Sequence, residues 1–596
     1  MDKNTVTGLV LIFLLIVLWQ NFFSPIPEPI DSNKELNETL ENNEEISTTQ
    51  IVEPTTNSNE TLKKESENQD SIVKEEIVVL ENEVLKIEFS TIGGVIKNVT
   101  LKNFEKKLTI DGIEQTSLVS LLGDNNNSFD YVIRNTNGTI HTKDIHFKII
   151  NQTDTEVVFG ISNQDGFSFV QRYALNQDYL VNYSIEGSDD ENTSIQLNWT
   201  NFMDRIEDNT RVEKNYTTIN YKPIEGSPKT CSTMGDDQED ADGLPLKWIA
   251  QTNQFFNTTL IAQNRFENAN MEIKVLEEDD EHLKKFDISL QFPNSGRHDF
   301  QYYIGPNEFE RLYDLGDGLQ EIIPFGWSFF GSINRWVIRP IFNFLSSLIG
   351  SKGIVILILT FIVKAILFPL TYRMLYSQSK MAALKPQIEQ LKAKFKSDPQ
   401  QQQVETMKMY REFGVNPLGG CLPMLAQMPI WFALYRFFPA SIEFRQAPFL
   451  WATDLSSYDV IARLPFEVPF GFGSHLSLFT LLWAITTLIY TYFNTKDMDM
   501  SANPAMKYMQ YIMPLFFLGF FNSYASGLTA YLLFSNVINI GQTVVTKKFV
   551  IDHDKIKTKL EANKAKPKKK SGFQARLENA LKEQQKIQSQ RAKKKK

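Results

Sequence analysis

The chain has 596 residues, 42 % of them hydrophobic, and a formal net charge of −10. That length excludes a single ordinary domain. The average hides strong patterning. Residues 24–310 are polar and acidic, 325–546 hold most of the Phe, Trp, Leu and Ile, and 547–596 carry 18 Lys and Arg against 5 Asp and Glu. Regions of opposite sign point to different surroundings and different partners.

In chain order, the first apolar run is "TGLVLIFLLIVLWQNFF" (7–23), just long enough to cross the hydrocarbon core. The following "NFFSPIPEP" lacks a small-residue cleavage pattern, so 1–23 is predicted to be a retained anchor rather than a signal peptide. Residues 24–75, rich in Glu, Asn, Ser and Thr, read as a disordered acidic linker. From 76 the texture changes. "VVLENEVLKIEFSTIGGVIKNVTLKNF" alternates apolar and polar residues around a Gly-Gly turn, and similar runs recur to about 310. Short strands with turn signals over that length predict a large antiparallel β-sandwich over 76–310. Several Asn-x-Ser/Thr triplets fall here; an Asn-rich composition produces them by chance, and glycosylation is the alternative.

Residues 311–350 turn amphipathic. "GWSFFGSINRWVIRPIFNFLSSLIG" mixes Trp, Phe and Ile with Arg335 and Arg339, as in a helix lying along a membrane surface. Five further apolar spans are predicted in 351–546, at about 353–373, 418–438, 475–493, 507–522 and 526–546, giving six with the first. Lys and Arg collect on the cytoplasmic side of membranes. The segment 373–411 holds eight of them and the last fifty residues are strongly basic, whereas 439–474 holds only Arg445 and Arg463. Both termini are thus expected in the cytoplasm and the β region outside. Cys231 and Cys421 then lie on opposite sides, which excludes a disulfide between them. The six histidines show no metal-ligand spacing, so neither Cys nor His offers a catalytic or metal centre.

Between the second and third spans, Met381, Leu384, Ile388, Leu391 and Phe395 are spaced 3, 4, 3 and 4. "KSDPQ" breaks the pattern and "QQQVETMKMYREF" resumes it, so a cytoplasmic helical hairpin is predicted over 377–415.

Lys364 interrupts the second span about 16 Å along its helix, near the midplane. A charge there costs about 2.5–3.5 kcal/mol on insertion scales. Thr360 lies one turn away on the same face. In the last span Thr529, Asn536, Asn539 and Thr543 are spaced 7, 3 and 4, again one face, and Gln427 lies midway in the third. The spans hold no acidic residue to pair with Lys364. Uncharged polar groups around one unpaired cation indicate a hydrated cavity rather than a proton relay, which uses carboxylates or histidines. The absence of paired inverted repeats argues against a secondary transporter. A solute channel and a purely structural scaffold are the alternatives.

The wording of several runs carries a resemblance. "PFGWSFFGSINRWVIRPIFNFLSSLIGSKGIVILILTFIVKAILFPLT", "NPLGGCLPMLAQMPIWFALYRFF", "SIEFRQAPFLWATDLS" and "SGLTAYLLFSNVINI" resemble the YidC family of membrane protein insertases over about 326–550. "STIGGVIKNVTLKNF", "KWIAQTNQFF" and "YYIGPNEF" resemble, more weakly, the periplasmic domain of the form found in bacteria with two membranes.

The resemblance implies a multi-domain inner-membrane protein. It would combine six transmembrane α-helices, five of them a shared core, with a periplasmic antiparallel β-supersandwich and the cytoplasmic hairpin. It implies insertion and folding of client membrane proteins, alone or with the Sec translocon, without cofactor, metal, small-molecule substrate or enzymatic chemistry. Lys364 occupies the position of the family's groove charge, usually an arginine; Lys keeps the charge and loses the planar five-donor fork. Thr360, Gln427, Asn536, Asn539 and Thr543 correspond to the hydrophilic groove. Met424, Met428, Trp431, Met513, Phe516 and Phe517 correspond to the slide by which a client helix leaves. The implied partners are nascent membrane proteins, lipid, Sec components and the ribosome. Ribosomal RNA would be met by Lys568, Lys569, Lys570, Lys593 and Lys594 of the 547–596 tail, for which anionic lipid is the competing contact.

Overall fold

The computed structural model describes residues 74–564, except 111–112, 136–137, 163–167, 188–193, 242, 277–280, 294–295, 327, 396–398, 416–421, 469–471 and 496–503. The anchor over 1–23, all but the end of the 24–75 linker, and the tail lysines from Lys568 lie outside the described residues. Residues up to Ile323, with Ala440–Ile442, form one compact unit; Pro324–Pro439 and the chain from Glu443 form the other.

The first unit is built from antiparallel strands. Ile77–Glu81, Leu85–Ser90, Val95–Ile110 and Ile113–Leu121 make a four-stranded meander. A nine-stranded sheet has Phe256–Phe266 and Arg297–Pro306 near its centre, with Lys148–Gln152 and Lys229–Thr230 at its edges. A six-stranded sheet runs from Asp237–Asp240 through Asn268–Val275, His282–Gln291, Ser194–Asp204 and Ser128–Asn135 to Gly138–His141.

Period-two patterning explains how these sheets face each other. In Ser194–Asp204 exposure alternates residue by residue, with Ile195, Leu197, Trp199, Asn201 and Met203 all buried. The two inner faces meet through Tyr131 of the six-stranded sheet and Tyr183 of the nine-stranded sheet, whose hydroxyls lie 2.7 Å apart. Tyr183 also bonds Gln171 at 2.8 Å and stacks on Tyr173 at 4.4 Å. Buried phenols need such partners, and the network ties the two sheets into a sandwich. The expected large antiparallel β-sandwich is therefore present.

Two short helices of this unit, α1 (Thr210–Tyr216) and α2 (Phe309–Leu315), precede those of the second. There α3 (Ser328–Ile333) passes through a π turn at Asn334–Ile338 into α4 (Arg339–Leu348). One amphipathic helix was expected here. The chain instead anchors Asn334, fully buried, by donating its amide to the carbonyls of Phe325 at 2.7 Å and Ala433 at 2.6 Å. Arg339 is also buried rather than displayed, 3.9 Å from Glu443. Burial pushes its guanidinium pKa down and Glu443 opposes that shift. Trp336, Phe344 and Leu348 are exposed, which keeps an apolar face outward.

Helices stand at all five later positions where spans were predicted. They are α5 (Lys352–Ala383), α8 (Leu422–Ala440), α9 (Leu478–Thr495), α10 (Pro504–Asn522) and α11 (Ser526–Val545), with α6 (Lys385–Lys394) and α7 (Pro399–Phe413) between α5 and α8. Among the described residues two helices are long and apolar enough to cross a membrane: α5, and α11 with its continuation to Val550.

The predicted heptad stripe is not one continuous helix. It breaks at Leu384, because Pro386, in the first turn of α6, brings no N–H to bond the Ala382 carbonyl and so interrupts the hydrogen-bond ladder there. Met381, Leu384 and Ile388 are still buried, in a cluster with Leu375, Phe413 and Val415. Gln402 of α7 donates to the Phe395 carbonyl at 2.8 Å, tying α7 to the end of α6. The same cluster takes in Ile551, Ile556 and Leu560 around α12 (His553–Lys564). The first part of the region read as a basic tail is thus a packed helix, whose apolar residues the surrounding lysines had masked.

Candidate functional site

The sequence "KGIVILILTFIVKAILF" opens α5 and divides it into two faces. Gly353, Ile356, Thr360, Val363 and Lys364, three or four apart, are buried; Ile354, Leu357, Phe361 and Phe368 are exposed. The buried face lies against α11. Gly353 is what permits the start of α5 to sit close, since a Cβ there would meet the Phe449 ring at 1.9 Å. Further along, the side chains become polar. Thr360 donates its hydroxyl to the Ile356 carbonyl at 2.6 Å, which satisfies it within its own helix.

Lys364 has no such outlet. It is 2 % exposed, and its Nζ has no hydrogen-bond partner among the described residues. Across the helix pair, Gln542 donates its amide to the Lys364 carbonyl at 3.4 Å. The other amide atom, Gln542 Oε1, is buried without a partner, as is Thr543 Oγ1. Thr543 itself is 2 % exposed. An ammonium, an amide oxygen and a hydroxyl left unsatisfied on two packed helices are costly in an apolar medium. Such a group accommodates water or a polar segment more readily than lipid.

The other predicted groove residues divide. Asn539 and Gln427 are half-buried on α11 and α8. Asn536 is engaged elsewhere: its amide donates to Thr487 Oγ1 of α9 at 2.7 Å. The polar line Asn536, Asn539, Thr543 therefore serves two helix contacts, because α11 packs against both α9 and α5. Thr529, fully buried, donates to the Ser526 carbonyl at 3.2 Å and is satisfied within its own helix. Sequence reasoning missed Gln542. The available signal was an amide within an apolar span, three residues after Asn539.

The predicted slide residues lie on α8 and α10. Trp431 and Met428 are half-buried, as are Met513 and Phe517, while Phe516 is exposed; Met424 lies in α8. The rings converge on Phe521, buried at 2 %: Trp431 meets it edge-on at 6.2 Å, Trp483 at 5.1 Å, and Phe517 stacks at 6.0 Å. Tyr435 of α8 stacks on Tyr524 at 4.7 Å. An aromatic seam thus joins α8 and α10. Beside it Tyr508, Ile512 and Leu515 form an exposed apolar stripe on α10.

Two polar clusters were not anticipated. Asp459, 3 % exposed, accepts from the N–H groups of Leu478 at 2.8 Å and Phe479 at 3.1 Å, the Trp451 indole at 2.8 Å and the Ser477 hydroxyl. It closes the N-terminus of α9 as a charged cap. In the β unit, the ligand-capable atoms of Asp124, Asp204 and His282 all lie within 4.8 Å of one another. A bulge at Met203/Asp204 sets Asp204 opposite His282 in the strand pair. Linear spacing does not reveal such a cluster, which is why the histidines seemed to offer no centre. Burial pushes the Asp204 carboxyl up to about 6, Asp124 and Glu281 adding to the shift and Lys106 and His282 opposing it.

Comparison with known proteins agrees with this architecture. The family model for the YidC periplasmic domain matches residues 77–344, and that for the 60Kd inner membrane protein matches 344–554. A relative from Parabacteroides distasonis named membrane protein insertase YidC is 35 % identical over 645 residues, with both chains fully covered. One of the same name from Bacteroides fragilis is 33 % identical over 625 residues, covering 100 % of this chain and 99 % of its own. Among solved structures, a galactose mutarotase-like protein from Lactobacillus casei overlaps 39 % of this chain and all of its own, at 10 % identity and a TM-score of 0.26. With full-length relatives at this level of identity, the chain belongs to the YidC family of membrane protein insertases.

Proposed function

We propose that this protein inserts and helps fold client membrane proteins, through a hydrophilic groove between α5 and α11 that carries one positive charge, Lys364. The observation that carries the reading is the burial of the Lys364 ammonium with no partner beside further unsatisfied polar atoms on α11. A charge in that setting needs a hydrated or polar occupant. A client's short polar outer tail supplies one on its way across the membrane.

The chemistry is positional. A half-depth aqueous groove shortens the dry distance that the tail must cross. The ammonium attracts an acidic tail transiently, by point charge rather than bidentate contact. Thr360, Gln427, Asn539, Gln542 and Thr543 keep water there. The client's apolar segment then passes along Met424, Met428, Trp431, Met513, Phe516 and Phe517 into lipid, driven by its own hydrophobicity. In this reading the chain has six spans, both termini and the α6–α7 hairpin in the cytoplasm, and the β unit in the periplasm. The basic tail meets the ribosome or anionic lipid, and Sec components cooperate for some clients. No covalent step and no cofactor enter.

The test is reconstitution. Liposomes containing only the purified chain receive a one-span client with an acidic outer tail, scored by protease protection. Protection above empty liposomes, and its loss in a folded Lys364→Met variant, is the expected result. Equal insertion by the variant removes the lysine from the mechanism. No insertion by the native chain, with or without Sec components, overturns the insertase reading, and solute flux through the same liposomes would replace it with a channel.

A further inference from the structure

Past the buried lysine, the ends of α5 and α11, with Phe493 of α9 and the start of α12, border an open pocket of about 530 Å³. Lys547, Lys548 and Lys557 line it together with His553, and among its described lining residues none is acidic. Lys547 bridges to the Phe493 carbonyl at 3.2 Å, which holds its ammonium at the pocket wall. Lys548 lies over the Phe549 ring at 5.3 Å, and Lys557 is 4.0 Å from Asp554 on the exposed outer side.

Basic residues alone make a patch rather than a site. Here two further lining side chains are more than nine-tenths buried and incompletely paired. Gln378 is 7 % exposed with Oε1 unsatisfied, and Thr543 is 2 % exposed with Oγ1 unsatisfied. The amide oxygen requires a hydroxyl or N–H donor. The lysines require an anion. One flank is apolar: Val544, Val545 and Phe549 are 40 %, 52 % and 73 % exposed.

We infer that this pocket holds the headgroup of an anionic phospholipid bearing headgroup hydroxyls, the chemistry of phosphatidylglycerol. Its phosphate oxygens accept from Lys547, Lys548 and Lys557. A headgroup hydroxyl donates to Gln378 Oε1, and Thr543 bonds a second oxygen. The acyl chains lie over Val544, Val545 and Phe549. The depth fits, because the lysines begin where the apolar run of α11 ends, at the level where basic side chains meet headgroups. The inference rests on α5 and α11 being membrane spans and not on insertase activity. Such a lipid would fasten the cytoplasmic ends of the two helices that carry the groove.

The experiment is native mass spectrometry of the full chain in detergent. It is titrated with phosphatidylglycerol, phosphatidic acid, phosphatidylcholine and soluble glycerol phosphate. Phosphatidylglycerol is expected to bind at least tenfold more tightly than phosphatidylcholine. Its affinity should fall about tenfold in a Lys548→Gln/Lys557→Gln double variant, at roughly fivefold or less per lysine. Gln378→Leu should weaken phosphatidylglycerol and leave phosphatidic acid, which lacks the extra hydroxyls, unchanged. Equal binding of phosphatidylglycerol and phosphatidylcholine by the native chain overturns the inference, and that comparison needs no variant. Glycerol phosphate binding as tightly as the lipid would make this a free-phosphate site. An acidic peptide displacing the lipid preferentially would assign it to clients. Insertion that proceeds normally while lipid discrimination is absent would overturn this inference alone.

Discussion

Gln542 donates its side-chain amide to the backbone oxygen of Lys364 across 3.4 Å, so α11 meets α5 at the level of the buried lysine. The arrangement places a charge where it destabilises the fold, which separates stability from function experimentally. Lys364→Met removes an unpartnered buried ammonium and should raise stability by about 2–3 kcal/mol. The same change should lower insertion of an acidic-tailed client at least tenfold. Lys364→Arg should retain insertion. Thermal unfolding and protease protection on the same preparations check both halves. A variant that loses stability as well as insertion would show that the lysine is structural.

Asn536 links α11 to α9 through Thr487 Oγ1 at 2.7 Å, with Thr486 Oγ1 at 3.4 Å behind it. Asn536→Leu should therefore act on stability, at about 1–2 kcal/mol. Thr487→Val should cost a similar amount. The double variant should cost less than the sum, because the two remove one shared bond. Additive losses in a double-mutant cycle would mean that the pair does not interact.

Much of this was legible before the structure. The alternation of Ile195, Leu197 and Trp199 with polar neighbours read as a strand, and helices at 352–383 and 526–545 cover two of the predicted spans, the first running ten residues past its predicted end into the region expected to open the hairpin. Lys364 stood out because a single charge interrupts an apolar run. What escaped depends on contacts distant in sequence or on local backbone chemistry. Pro386 broke a heptad stripe whose apolar spacing remained intact. Asn536 carried the right spacing for one face but lies where α11 touches a second helix. Asp459 carries no local signal in sequence, because its partners at the start of α9 lie about twenty residues away. The cluster of Asp124, Asp204 and His282 exists only once the strands pair.

Asp459 gathers four donors, so its removal leaves all four unsatisfied. Asp459→Ala should cost about 3–4 kcal/mol, well beyond a typical surface change. Asp459→Asn keeps one carbonyl oxygen and should recover part of that. Denaturation of the detergent-solubilised chain, followed through Trp451 and Trp483 fluorescence, reads both. A loss below about 1 kcal/mol for the alanine variant would show that water replaces the carboxylate.

Asp204, held up to about 6 against 3.8 in an unfolded chain, binds its proton more tightly when folded. Its contribution to stability is fully present below about pH 4 and is lost as the pH rises through 6. Asp204→Asn abolishes that dependence. The variant should match the native chain near pH 4 and exceed it by about 1–2 kcal/mol at pH 7, after allowing for partial exposure. Melting curves across pH 4–8 test the sign. A variant that becomes relatively weaker as pH rises would mean that attraction to His282 outweighs burial.

Gly353 and Phe449 set how closely α5 approaches the chain that follows α8. A Cβ at 353 would overlap the Phe449 ring at 1.9–2.5 Å, and Phe449 stacks in turn on Phe479 and meets Phe534 edge-on. The ring has little room to yield, so Gly353→Ala should destabilise by about 1–3 kcal/mol despite alanine's better helix propensity. Phe449→Leu removes part of the obstacle and should partly rescue it. Failure of that rescue in thermal unfolding would place the cost in the helix backbone rather than in the clash. The double variant should also recover insertion, since Lys364 lies three turns further along the same buried face.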